Sequence, residues 1–175
     1  MKIVITGVPG SGKSTLAKEL AAELRCEYID LNVIAKKFAV LKKTSAREFE
    51  IDLKKLQNVL QKSLKNKTNF VLDGHLACEI KIPCDLVVIL RCNPRVLQKR
   101  LAKRHYAREK LFDNLLAEAQ DYFPILVERF YKKNFVEINS TKRVSLAKLL
   151  KAIKQRKGEK VNWGKELFWL ASQGL

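Results

Sequence analysis

Short apolar runs alternate with longer amphipathic stretches along most of the chain. Five runs rich in β-branched or aliphatic residues have the character of buried strands, at 3–5, 27–31, 70–73, 85–91 and 135–139. Between and after them, apolar residues at helical spacing predict helices over 13–25, 52–65, 93–104, 111–131 and 144–153. Pro124 is expected to kink or split the fourth of these helices. Five strands with such long connections predict an α/β fold of three layers, a five-stranded parallel sheet with helices on both faces.

A glycine-rich loop follows the first predicted strand. Residues 7–14, Gly-Val-Pro-Gly-Ser-Gly-Lys-Ser, match the phosphate-loop pattern G-x-x-x-x-G-K-S at every fixed position. Glycines allow backbone N–H groups to turn towards a phosphate at the start of the next helix. Lys13 is predicted to reach the β- and γ-phosphates of a nucleotide, and the Ser14 hydroxyl to ligate Mg²⁺. The alternative is a turn without a ligand, but the flanking strand and helix favour a nucleoside triphosphate site.

A carboxylate ends the third predicted strand, and Gly74 and His75 follow it. We predict that Asp73 holds Mg²⁺, usually through water, because phosphate-loop proteins place a second acidic element at such a strand end. The alternative is an ordinary turn-forming aspartate before glycine. His75 has two equally weighted interpretations: it orients an attacking water or hydroxyl, or it satisfies a buried backbone group.

A basic segment at about 104–113 joins the helix of 93–104 to the next one. It is too short for a separate domain but suits a small lid whose arginines close over a transferring phosphoryl group. Arg104 is the leading candidate for that role and Arg108 the second. The alternative is that both are solvated ends of basic helices.

The charge of the chain is strongly positive. Its 175 residues carry 35 Lys+Arg against 18 Asp+Glu, a formal net charge of +17, and the length suits one domain spanning 1–175. One interpretation is a lysine-rich solvated surface. The other is a face for RNA or for a ribonucleoprotein particle. The two stay open, because the sequence has no RNA-binding motif with interleaved aromatic residues.

Several classes of protein are disfavoured by the sequence. It contains no apolar run of about eighteen residues, so we expect no membrane association, and the first strand leaves no room for a signal peptide. Its four cysteines lack C-x-x-C spacing, which favours neither a zinc site nor a redox pair. A cytoplasmic location is expected. The tail, 158–175, holds both tryptophans and is expected to dock on the core, the alternative being an aromatic patch for a partner.

Four segments resemble a known family, the adenylate-kinase-like ATPases called adenylate kinase isoenzyme 6, in their archaeal form. They are residues 7–15, 73–76, 84–92 and 100–114, and the resemblance covers roughly 1–156. It implies a P-loop kinase fold with a very short lid and an acceptor-binding region at about 31–52. It also implies adenine contacts at 140–143. The implied ATP-binding residues are Gly10, Gly12, Lys13, Ser14, Thr15 and Arg104, with Asp73 and His75 linked to hydrolysis.

The resemblance also implies a pair of roles. The family transfers phosphate from ATP to a nucleoside monophosphate, favouring AMP, and hydrolyses ATP. Its members assist late maturation of the small ribosomal subunit by transiently binding a platform ribosomal protein. The family usually has glycine where this chain has His105, so a β-carbon there is expected to stiffen the lid hinge.

Three functions follow as hypotheses. The first is a Mg²⁺-dependent nucleoside monophosphate kinase, in which Lys13 and Arg104 neutralise developing charge. The second is an ATP-driven assembly factor whose hydrolysis changes its affinity for a ribosomal protein or rRNA. The third is a kinase for another small acceptor. The cations available for an acceptor phosphate are Lys36, Lys37, Lys42, Lys43 and Arg47, and the sequence does not choose among them.

Overall fold

The computed structural model describes residues 1–38, 41–43, 49–104 and 106–173. The strands are β1 (Lys2–Gly7), β2 (Glu27–Asp30), β3 (Leu41–Lys43), β4 (Phe49–Ile51), β5 (Phe70–Asp73), β6 (Leu86–Arg91) and β7 (Phe135–Asn139). The helices are α1 (Lys13–Glu23), α2 (Leu31–Lys37), α3 (Leu53–Leu64), α4 (Pro94–Ala102), α5 (Arg108–Ala119), α6 (Tyr122–Tyr131), α7 (Leu146–Gln155) and α8 (Gly164–Ala171). A 3-10 turn, His75–Cys78, follows β5.

The central sheet has five parallel strands in the order β2-β5-β1-β6-β7. Because the strands are parallel, all five carboxyl ends meet at one edge. β1 is the middle strand, with β5 and β2 on one side of it and β6 and β7 on the other. The phosphate loop after β1 therefore lies at the middle of that edge, where open α/β sheets bind ligands. The predicted fold class is confirmed.

Helices cover both faces of the sheet. On one face, Ile3 and Ile5 of β1 pack with the apolar sides of α1 and α7, including Leu20 and Leu149. On the other face, a larger core packs residues of α2 to α6 against the alternate strand positions and includes Leu170 of α8. None of the helices in the described ranges combines the length and apolar character that crossing a bilayer requires.

The region that follows β2 differs from its prediction. Leu31 was expected to end β2, but Asp30 accepts a hydrogen bond from the Asn32 backbone N–H at 2.8 Å and starts α2 instead. The region 31–52 also contains α2 and an antiparallel hairpin of β3 and β4, which the irregular sequence did not indicate.

Pro124 was expected to kink or split a long helix over 111–131. The split is confirmed, but it falls at Asp121, whose φ of 57° is left-handed, between α5 and α6. Pro124 then lies in the first turn of α6, where its missing N–H is not required by the helix. The preceding helix also begins earlier than expected, at Arg108.

The C-terminal segment docks on the core, as expected. Trp163 is buried and its indole Nε1–H donates to Glu118 Oε1 at 2.8 Å. The same carboxylate oxygen accepts from Arg91 Nε at 2.9 Å and from the Cys92 backbone N–H at 3.0 Å. Arg91 also pairs with Asp121 and Glu137. This buried ion cluster joins the end of β6 to α5 and to the tail.

Candidate functional site

The phosphate loop has the backbone geometry that its sequence predicts. Gly10 has a φ of 88°, and a β-carbon there would lie 2.9 Å from Leu101 Cδ2, so both conformation and packing require glycine. Gly12 has a φ of 95°, and a β-carbon there would meet no described atom within 4 Å. The loop therefore leaves open space at the N-terminus of α1, where backbone N–H groups favour an anion.

The side chain of Lys13 is hydrogen-bonded within the phosphate loop. Its Nζ donates to the Val8 carbonyl oxygen at 3.0 Å, and the residue is 8% exposed. Burial lowers the pKa of Lys13 to about 8, with Arg104 lowering it further and Asp73 opposing the shift. A phosphate would supply the missing counter-charge, so this ammonium group is poised for an anionic ligand.

Asp73 presents one free carboxylate oxygen. The residue is 1% exposed; Oδ2 accepts a hydrogen bond from the Tyr28 hydroxyl at 3.3 Å, while Oδ1 is buried without a partner among the described residues. Burial raises the pKa of Asp73, and the Ser14 hydroxyl and the Lys13 ammonium oppose the rise.

Ser14 and Asp73 fit the predicted Mg²⁺ site. The described residues contain no cluster of three or more acidic, histidine or cysteine ligands. Mg²⁺ does not need one, because it is usually held by one or two protein oxygens together with waters and substrate phosphates. A buried carboxylate oxygen without a donor, beside a hydroxyl and a phosphate loop, is what such a site requires.

His75 begins the 3-10 turn after β5. Burial lowers the pKa of His75 to about 4, with Lys13 and Lys110 adding to the effect, so the imidazole is neutral near pH 7. Backbone carbonyls of Gly74 and His75 accept from the Thr6 hydroxyl instead, at 3.0 and 3.2 Å. Within the described ranges the imidazole itself has no hydrogen-bond partner, which does not support the role of satisfying a backbone group.

The predicted site residues share one cavity of about 290 Å³ at the carboxyl edge of the sheet. Arg104 lies on its border and is exposed, whereas Arg108 is not among the lining residues. Two further lining residues, Asn32 and Tyr106, were not singled out from sequence. The predicted residues that line the cavity are Gly10, Gly12, Lys13, Ser14, Thr15, Asp73, His75 and Arg104. Their individual roles stay predictions.

A second cavity, of about 440 Å³, adjoins the phosphate loop on the other side. Gly10, Gly12 and Thr15 line both cavities, so the two are continuous along the loop. Leu16, Leu90 and Val144 give the second cavity apolar walls, and it is bordered by Ser140, Lys142 and Arg143 of the loop after β7. A planar nucleobase, which has apolar faces and polar edges, suits this space.

Arg100 is the site residue that sequence reasoning missed. Its guanidinium donates to the Ser140 carbonyl at 3.1 Å, to the Thr141 carbonyl at 2.8 Å and, more weakly, to Gly10 at 3.4 Å. It thereby ties the phosphate loop to the loop after β7. The available signal was its position on the last turn of α4, four residues before Arg104.

The acceptor cations are only partly described. Lys36 and Lys37 are exposed on α2, and Lys37 lines a different cavity, beside Tyr28 and Phe38. The side chains of Lys42 and Lys43, and all of Arg47 and His105, lie outside the described residues, so the predictions made for them are not tested.

Comparison with known proteins gives the family. A profile described as an AAA domain matches residues 3–122. A Pyrococcus abyssi protein named "Putative adenylate kinase" is 40% identical over 148 residues, 82% of this chain and 77% of its own length. A Methanocaldococcus jannaschii protein of the same name is 33% identical over 175 residues, 96% of each chain.

Solved structures support the fold alone, because their sequence identities are low. A shikimate kinase from Bacteroides thetaiotaomicron aligns with a TM-score of 0.54 at 21% identity, covering 88% of this chain and 94% of its own. A gluconokinase from Sinorhizobium meliloti aligns with a TM-score of 0.58 at 16% identity, covering 89% and 92%. Together with the relatives, these matches show that the chain belongs to the archaeal adenylate-kinase-like family of P-loop proteins.

Proposed function

We propose that the protein transfers the γ-phosphoryl group of ATP to a nucleoside monophosphate, with AMP as the favoured acceptor, and that it also hydrolyses ATP. The observation that carries the proposal is the shared cavity: Lys13, Asp73 and Arg104 face one space that continues along the phosphate loop into an apolar cavity. The names of the relatives point to the same reaction.

The chain's own groups would act mainly by positioning and electrostatics. The backbone N–H groups of residues 10–15 would hold the β-phosphate, and Lys13 would neutralise charge between the β- and γ-phosphates. Arg104, at the lid, would stabilise charge on the transferred phosphoryl oxygens. Ser14 and Asp73 would hold Mg²⁺, which supplies Lewis-acid polarisation of the phosphate oxygens when bound.

Hydrolysis is proposed from the openness of the same site. The lid segment is short and Arg104 is exposed, so water is not fully shut out of the cavity. The neutral imidazole of His75 can accept a hydrogen bond from a water molecule or an acceptor hydroxyl. ATP turnover without an acceptor is therefore expected beside phosphotransfer.

The test is a screen of acceptors with ATP and Mg²⁺. We expect AMP to accelerate ATP consumption and to yield two ADP per reaction, with other nucleoside monophosphates slower. If AMP changes neither the rate nor the product, the kinase proposal fails. If a nucleoside or a phosphate-free small acceptor is preferred instead, the alternative of a kinase for another small acceptor is supported.

A second proposed role is assembly of the small ribosomal subunit, through transient binding of a platform ribosomal protein and contact with rRNA. The supporting observation is the excess positive charge outside the nucleotide cavities. Exposed basic side chains lie on and after α7, namely Lys148, Lys151, Lys154, Arg156, Lys157 and Lys160. Such a surface suits a polyanion and responds to salt.

Co-sedimentation tests this second role. We expect the protein to associate with small-subunit particles in the presence of a non-hydrolysable ATP analogue and to dissociate with ADP. Absence of association in both nucleotide states would overturn the assembly role while leaving the kinase proposal intact. We also propose a cytoplasmic location, which is in keeping with four free cysteines.

A further inference from the structure

Tyr28 reaches the carboxylate proposed for Mg²⁺ from the neighbouring strand. We propose that Tyr28 is a positioning residue: its hydroxyl holds Oδ2 of Asp73 so that Oδ1 is presented to the water shell of the Mg²⁺·nucleotide complex. The hydroxyl lies 3.3 Å from Oδ2, and Oδ1 has no partner in the described part of the chain. The inference rests on the proposed function, since it concerns the metal of that same site.

The sheet register explains why these two side chains meet. In the parallel pair of β2 and β5, Tyr28 lies opposite Val71 and Asp30 lies opposite Asp73. Side chains two residues apart in a strand share a face, so Tyr28, Val71 and Asp73 all point to the side of the sheet that α1 covers. Tyr28 lies level with Val71, two residues before Asp73, and its side chain is long enough to reach the Asp73 carboxylate.

The ring of Tyr28 is itself held in place. Lys18 of α1 lies over the ring, with Nζ 5.5 Å from the centroid, and the ring packs against the apolar cluster beneath α1. A fixed ring gives a fixed hydroxyl. Without it, the terminal torsion of an aspartate is broad and nearly two-fold, so its two oxygens would exchange places easily.

The chemistry of a tyrosine suits this task. Its phenol is a neutral donor at neutral pH, so it orients the carboxylate without cancelling the charge that attracts a cation. A lysine in the same place would compete with the metal. Asp30, which the register places opposite Asp73, accepts a hydrogen bond from the Asn32 N–H, and an ionised carboxylate has no proton to donate to Asp73. Donors that orient metal-binding carboxylates commonly change metal affinity about 10- to 100-fold when removed.

The experiment compares nucleotide binding with and without magnesium, by calorimetry with a non-hydrolysable ATP analogue in Mg²⁺ or in EDTA. For Tyr28→Phe, we expect affinity in EDTA to match that of the unmodified protein, while the gain in affinity on adding Mg²⁺ falls about tenfold. A loss of the same size in EDTA and in Mg²⁺ would assign Tyr28 to general packing and overturn the proposal. So would an unchanged gain, with or without a lowered melting temperature.

Tyr122→Phe is the matched control. The Tyr122 hydroxyl likewise acts on a carboxyl group, lowering the pKa of Glu79 against the effect of burial, and Tyr122 belongs to α6, which packs on the opposite face of the sheet from Tyr28. We expect the magnesium gain of this variant to be unchanged. An equal drop in Tyr122→Phe would mean that any lost phenol weakens the protein, and the proposal would fail.

A double variant tests whether Tyr28 acts through Asp73. In an Asp73→Ala background, Tyr28→Phe is expected to cause no further loss of the magnesium gain. A further tenfold loss there would overturn the proposal. If the unmodified protein binds the analogue equally in Mg²⁺ and EDTA, the proposed function fails together with this inference. If the unmodified protein shows a magnesium gain and Tyr28→Phe shows the same gain, the proposed function stands and the inference alone fails.

Discussion

Two buried carboxylates, Asp73 and Glu118, lie in very different environments in this fold. Asp73 is 1% exposed and Glu118 is fully buried. Asp73 accepts a long hydrogen bond from Tyr28, is influenced by the Ser14 hydroxyl, and lines a cavity. Glu118 lies beneath Trp163 and takes three donors on one oxygen, from Arg91, Cys92 and Trp163.

The environment of Asp73 suits a ligand-binding group, whereas that of Glu118 suits a structural one. Burial raises the pKa of Glu118 to about 7 although Arg91 opposes the rise, and its Oε2, which has no donor among the described residues, is the oxygen on which a proton can reside. Asp73, by contrast, lines a cavity that a cation and its waters can fill. We infer that a carboxylate with one weak donor beside a cavity marks the site, whereas the carboxylate with three donors holds α5, β6 and the tail together.

The largest expected effect is a loss of stability on disrupting the buried ion cluster around Arg91. Arg91→Ala removes the cation shared by Glu118, Asp121 and Glu137, and an uncompensated buried charge costs about 3–5 kcal/mol of unfolding free energy. Urea unfolding measures it. Lys67→Ala, which removes the exposed pair with Glu27, is the control and is expected to cost less than about 1 kcal/mol. Equal costs would show that the cluster is not structural.

Next in size is the loss of the phosphate-loop cation. Lys13→Ala is expected to lower both phosphotransfer and ATP hydrolysis about 10²- to 10³-fold, because the developing phosphoryl charge loses its fixed counter-charge. Unfolding free energy should change little or rise, since a buried ammonium group is removed. Steady-state kinetics with and without AMP check this, with Lys151→Ala on α7 as control. Retention of either activity would contradict the role of Lys13.

Trp163→Phe tests how much the hydrogen bond between the C-terminal tail and Glu118 contributes to stability. The variant keeps an aromatic ring but removes the N–H that donates to Glu118, and hydrogen bonds to charged groups contribute about 1.5–3 kcal/mol. A lower urea midpoint with unchanged kinetic constants is expected. In Trp169→Phe the ring still stacks on Arg95, which lies 4.5 Å from its centroid, so the cost should be below about 1 kcal/mol. A larger cost for Trp169 would reverse the assignment.

His75→Ala sharpens the picture of the open site. We expect ATP hydrolysis to fall at least about tenfold and phosphotransfer to AMP to fall less, because an acceptor phosphate is positioned by other groups while a water molecule is not. The ratio of the two rates in one preparation is the measurement. An equal fall in both would return His75 to a structural role.

The smallest expected effect is a pH dependence of binding. With a pKa of about 8 in the free protein, Lys13 loses its proton above pH 8, and a bound phosphate raises that pKa. Binding therefore takes up a proton above pH 8, and affinity falls with rising pH there, by up to about tenfold per pH unit; below pH 8 this group contributes no slope.

Calorimetry of ATP-analogue binding at pH 8.5 in buffers of different ionisation enthalpy should show uptake of more than about half a proton. The uptake should disappear in Lys13→Ala. Its persistence in that variant would place the titrating group elsewhere.

Much of this architecture follows from local pattern. The strands were predicted because buried parallel strands are continuous apolar runs, and the phosphate loop because its glycines and Lys13 have fixed spacing. The hairpin of β3 and β4 was missed because three-residue strands in a basic segment carry no periodicity. Arg100 was missed for another reason: its carbonyl partners lie 40 and 41 residues later in the chain.

The sequence by itself determined the five strands of the central sheet, the nucleotide-binding loop and the choice of Asp73 and His75 as candidates, because these depend on neighbouring residues. Tertiary structure alone decided which groups meet. It set Tyr28 against Asp73 through strand pairing and gathered Trp163 and Arg91 onto Glu118 across the core. It also left one buried oxygen of Asp73 without a partner among the described residues, in a side chain that lines a cavity. Contacts over such separations depend on how strands register and helices pack, which no local spacing specifies.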